Sequence, residues 1–121
     1  MAAMHALDAL GDPVRRRLVE LLSDGERSAG QLATAVGAEF GISQPATSRH
    51  LRVLREAGVV DSVPHGAVRL YSVRTEAFDE LERWARGIRR FWDGRLSALD
   101  TEVARGARER RREQVRTKEQ A

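Results

Sequence analysis

The stretch ISQPATSRHLRVLREAGVV, residues 42–60, carries a helix start, a helix stop and two chemically opposite faces. Ser43 is a favourable N-cap, because its hydroxyl can accept a hydrogen bond from a first-turn N–H that has no partner inside the helix. Pro45 gives up a donor that the first turn does not use. From there Leu51 and Leu54 recur on one side, with Thr47 and Gly58 near the same stripe, while Gln44, Ser48, Arg49, Arg52 and Arg55 fall on or near the other. Gly58 can adopt positive φ and so ends the helix ahead of the β-branched pair Val59 and Val60.

A helix of this kind fits the major groove of B-DNA, where Gln can bond adenine, Arg can bond guanine, and Ser or Thr can serve several base edges. The N-terminal turns face the bases in that docking mode. Gln44, Pro45, Ser48 and Arg49 are therefore the base-reading candidates, and Arg52 is placed for a phosphate. Taken alone, the segment fits an ordinary amphipathic surface helix with solvated arginines equally well. The residues after Gly58 tip the balance. Residues 59–63 and 67–73 are β-prone runs flanking Pro64, His65 and Gly66, the composition of a hairpin. A helix-turn-helix continued at once by a hairpin is a winged helix. His65 at its tip and Arg69 and Arg74 along it could touch the minor groove or the backbone, where a cation is favoured whatever the base sequence. Arg69 is the strongest of these, since a histidine in a turn is more often simply exposed.

The 121 residues, 41% hydrophobic and 32% charged, suffice for one modest core. The chain contains no cysteine, which excludes a disulfide framework, a thiol switch and every Cys-based metal site, and accords with a cytoplasmic location. No apolar run approaches ~18 residues and no basic-then-apolar leader opens the chain, so neither a membrane span nor a secretory signal is expected. The net charge of +3 is unevenly placed: residues 1–100 hold 14 basic and 14 acidic residues, and residues 101–121 hold 7 and 4. All of the excess lies at the C-terminal end, so the DNA reading rests on local clustering, with three Arg against one Glu between Ser43 and Gly58.

Elsewhere the pattern is mainly helical. Met4, Leu7 and Leu10 mark a first short helix. Asp12 and Pro13 start a second, over 13–23, with Leu18, Leu21 and Leu22 inward. Its Arg15, Arg16 and Arg17 are divided between a phosphate contact and a solvated surface. Ser28 caps a third helix with Leu32, Val36 and Phe40 inward, weakened by Gly37 and closed by Gly41. From a cap at Thr75, a long helix carries Phe78, Leu81, Trp84, Ile88, Phe91, Trp92, Leu96, Leu99 and Val103 at spacings near three and four. Such a stripe needs a partner. The economical one is a second copy, giving a homodimer with Met4, Leu7, Leu81, Trp84, Ile88, Phe91 and Trp92 at the interface. A small-molecule pocket lined by the aromatics is the less favoured alternative. Residues 1–104 are thus expected to form the DNA-binding and dimerisation domain, and 105–121 a charged tail, either a frayed helical extension or disordered.

Ala9-Leu10-Gly11-Asp12-Pro13 with Arg15 and Arg17, then Ser48-Arg49-His50-Leu51 and Val53-Leu54-Arg55-Glu56-Ala57-Gly58-Val59-Val60, resemble the ArsR-type winged-helix repressors over about residues 4–100. That resemblance implies a homodimer on a palindromic operator, released by an inducer that is a small molecule or a protein. It places Gln44, Pro45, Thr47, Ser48, Arg49 and Arg52 where the family reads or brackets the groove. His50 is common at its place in the motif and is not read as a ligand.

Departures from the family pattern are informative. Where metal-sensing members open the third helix with Cys-x-Cys, this chain has Ser28, Ala29 and Gly30, and no histidine comes after His65. No metal site and no cofactor are expected from His5, His50 and His65 alone. GAEF, residues 37–40, adds about one helical turn relative to the common family spacing. An enzyme is not expected, because no nucleophile–base pair, phosphate loop or His–carboxylate cluster is present. The rival is a winged-helix protein-interaction module that dimerises without sequence-specific DNA binding. Three arginines with Gln44 and Ser48 favour double-stranded DNA as the partner.

Overall fold

The computed structural model describes the backbone of residues 2–120 and the side chains of residues 4–117. The elements run α1 (Ala2–Ala9), α2 (Pro13–Leu22), β1 (Arg27–Ser28), α3 (Ala29–Phe40), α4 (Gln44–Glu56), β2 (Val60–His65), β3 (Val68–Val73) and α5 (Thr75–Gln120). Two compact units divide the chain, one ending at Trp84 and one beginning at Ala85, so α5 contributes to the first and supplies the second. This is the winged helix-turn-helix expected, mainly α with a hairpin wing.

Caps set the boundaries. The Asp12 carboxylate accepts from the N–H groups of Val14 (2.8 Å) and Arg15 (3.2 Å), with Pro13 in the first turn of α2. Ser28 and Gln31 form a reciprocal capping box at α3, and Gly41 ends that helix. One core is built from Val14, Leu18 and Leu22 of α2, Leu32 and Val36 of α3, and Leu51 and Leu54 of α4, closed by Ala6, Ala9, Val59, Val60 and Tyr71. Among the described residues no buried side-chain polar atom lacks a hydrogen-bond partner.

Several expectations need correction. Phe40, in the last position of α3, is exposed, while Leu32 and Val36 of the same helix are buried. Leu21 is only half-buried, and Val14 takes the inward place. The sheet has three strands in the order β1-β3-β2: Arg27 and Ser28 pair with Tyr71 and Leu70, a contact too short to leave a periodic signal. Pro64 and His65 belong to β2, opposite Arg69 and Val68, and the turn is Gly66-Ala67 with Gly66 at φ 63°. Proline is tolerated there because β2 is an edge strand. Thr75 is the first helical residue of α5 rather than its cap. For the charged end, where a frayed helical extension and a disordered tail were both open, α5 continues through residues 105–120.

Candidate nucleic-acid interface

Helix α4 is held from behind by apolar contacts and started by a polar cap. Ser43 is extended (φ −78°, ψ 163°) and its Oγ accepts from the N–H of Ala46 at 3.2 Å. Gly58, at φ 76°, reverses the chain after α4, and Val59 and Val60 enter the core directly. Leu51 and Leu54 are buried beneath the helix, while Gln44, Pro45, Ser48, Arg49 and Arg52 are exposed. Among the described residues, Arg49 and Arg52 make no hydrogen bond or salt bridge, so their guanidinium groups are available to an outside acceptor. Thr47 departs from the expected set. It is 1% exposed and its Oγ1 donates to the Ser43 carbonyl at 3.1 Å, so it supports the first turn of α4 and is not part of the outer face.

On the wing, Arg69 is exposed and donates from Nη1 to Ser62 Oγ at 2.9 Å, which fixes its stem while leaving donors of the guanidinium over. His65 is exposed on the last residue of β2. Arg74 lies between Asp61 (3.7 Å) and Glu76 (3.8 Å), and these carboxylates hold it at the base of the wing.

The three arginines of α2 have partners within the chain. Arg15 donates from Nε to the Ala9 carbonyl and brings Nη1 to 3.2 Å from His50 Nδ1. Arg16 donates to the Leu10 carbonyl at 2.9 Å, and Arg17 chelates Glu39 at 2.9–3.1 Å. The Arg17–Glu39 hydrogen bonds hold the guanidinium still more firmly in its charged form. Glu39 lies in the GAEF turn, so the extra length of α3 brings its own anchor to α2. The half-buried His50 and the partners of Arg15, Arg16 and Arg17 were missed by sequence reasoning. Their only signal was that three cations crowd the positive end of a helix, where each needs an acceptor.

Among the described residues no group of three or more His, Cys, Asp or Glu side chains could hold a metal ion. Nor is any described helix long and apolar enough to cross a membrane.

A helix capped at Ser43, carrying exposed arginines outward and continued by an arginine-bearing hairpin, defines a winged helix-turn-helix DNA-binding protein. The family model for bacterial regulatory proteins of the arsR family matches residues 12–62. The chain is similar to the transcriptional repressor SdpR of Bacillus subtilis, 34% identical over 80 residues that span 66% of this chain and 84% of the relative. It is also similar to the HTH-type transcriptional regulator Rv2034 of Mycobacterium tuberculosis, 35% identical over 93 residues, 77% of this chain and 80% of the relative. An ArsR-like transcriptional regulator from Rhodococcus sp. RHA1 superposes with a TM-score of 0.66 at 26% identity, over 81% of this chain and 89% of the other. The chain belongs to the arsR family and is a DNA-binding transcriptional regulator.

Proposed function

We propose that this regulator is a dimeric repressor that occupies a palindromic operator. The carrying observation is the outer face of α4: Gln44, Ser48, Arg49 and Arg52 are exposed, and the two arginines have no intramolecular partner among the described residues. Gln44, Pro45, Ser48 and Arg49 read base edges, Arg52 and Arg69 bind phosphates, and His65 lies at the wing end. Repression is supported by similarity to SdpR and to the biofilm growth-associated repressor of Xylella fastidiosa, 45% identical over 58 residues. The two-fold assembly is supported by the exposure of Met4, Trp84, Ile88, Phe91 and Trp92, to which half-buried Leu7 and Leu81 add. A related winged helix-turn-helix domain from Mycobacterium bovis, 24% identical, is homodimeric. Residues 1–104 suffice for both activities in this reading, in a cytoplasmic protein released from DNA by an inducer.

Selecting bound sites from random duplex DNA tests the reading. An inverted repeat should emerge, retained over competitor DNA at physiological ionic strength. Recovery of no preferred sequence would refute it.

A further inference from the structure

Residues of the arsR-like motif with no place on the reading face meet behind it. Arg15, from the first turn of α2, touches two other elements at once: Nε donates to the carbonyl of Ala9 at the end of α1, and Nη1 approaches His50 Nδ1 in the middle of α4. A guanidinium has only donors, so Nδ1 in this contact carries the lone pair and the ring proton sits on Nε2. Asp12 orients the start of α2 by accepting from the backbone N–H of Arg15.

The remaining attachments of α4 do not do the same work. Thr47, Leu51 and Leu54 bury an apolar face that resists removal of the helix, but apolar contact is non-directional and tolerates sliding or rotation. The Arg15–His50 hydrogen bond is directional, and His50 is the immediate neighbour of Arg49. A guanidinium is a rigid planar fork, so the spacing between its two acceptors is constrained. We infer that Arg15 is a positioning residue that sets the register of the reading helix against α1 through His50, so that a displacement of α1 is passed to the face carrying Arg49. This rests on the proposed DNA-reading role of α4.

The test uses the full-length protein and the selected operator. Arg15→Lys keeps the charge but cannot reproduce the fork, and His50→Leu removes the acceptor. Each should weaken operator binding about tenfold while leaving affinity for unrelated duplex nearly unchanged, and the double variant should be little worse than either single one. His50→Asn, which restores an acceptor near the Nδ1 position, should recover most of the loss. Independently of DNA, imidazole nitrogen NMR should find His50 with Nδ1 unprotonated in the wild type and a shifted tautomer balance in Arg15→Lys. Additive losses, failure of His50→Asn to rescue, or a wild-type ring protonated on Nδ1 would overturn the inference. Equal losses on all duplexes would also overturn it, by making Arg15 a phosphate contact. Absence of any operator preference in the wild type would overturn the functional reading first, a result separable from the NMR outcome.

Discussion

Arg49 and His50 are adjacent in the chain and have opposite surroundings: the arginine is exposed with no partner among the described residues, and the histidine is half-buried against Arg15. If Arg49 bonds a base edge, Arg49→Ala should cost about 1–3 kcal/mol on the operator and less on unrelated DNA. Fluorescence anisotropy on both duplexes measures this, and an equal loss on each would reassign the residue to a phosphate. Asp12 gives a prediction about stability. Burial pushes its carboxyl pKa up, but the N–H groups of Arg15 and Val14, with the positive charge of Arg15, outweigh that and leave it below the ordinary value. The folded pKa is thus lower than the unfolded one, so the contribution is fully present above the ordinary carboxylate range and is lost as pH falls through the folded value. Asp12→Ala should lower stability by about 1 kcal/mol at neutral pH, whereas Asp12→Asn, still a good cap, should cost less. Denaturant melts of wild type and Asp12→Ala should converge in acid; a gap independent of pH would show that the carboxylate charge contributes nothing.

At the level of elements, the wing carries its own prediction. Arg69 has one donor engaged by Ser62 and is otherwise exposed, so a phosphate contact there adds affinity without sequence preference. Arg69→Ala should weaken binding nearly uniformly across duplexes and reduce the slope of log affinity against log salt by about 1. An unchanged slope would place the wing away from the DNA backbone. The elements whose ends are marked by local chemistry were legible in the sequence: Asp12-Pro13, Ser28 and Ser43 start helices as expected, and Gly41 and Gly58 stop them. The division of α4 into an exposed side with Gln44, Ser48, Arg49 and Arg52 and a buried side with Leu51 and Leu54 was legible too, because one short periodic segment sorts its own residues. Features made by distant pairing were not. β1 has two residues and exists only through β3, Glu39 meets Arg17 across 22 positions, and His50 meets Arg15 across 35. Thr47 illustrates the limit within a single helix, since its hydroxyl suits a groove and its register suits the core, and burial decided between them.

For the whole molecule, one copy of α4 could contact only half of the proposed palindrome. A two-fold dimer presents two such helices to half-sites about one DNA turn, ~34–36 Å, apart, and joining them makes the second contact effectively intramolecular. The apolar residues that would form this joint lie bare in the single chain: Ile88 is 43% exposed, Phe91 62% and Trp92 55%. A carboxylate introduced there would have to enter an interface without a partner charge, which strongly disfavours association. Ile88→Asp should therefore sediment as a monomer at concentrations where the wild type is a dimer. Its operator affinity should fall toward the value for unrelated DNA, because the linkage between half-sites is gone while the phosphate contacts of each copy remain. The two measurements separate two ideas: a persistent dimer would remove Ile88 from the joint, and a monomer with undiminished operator affinity would remove the two-fold operator itself.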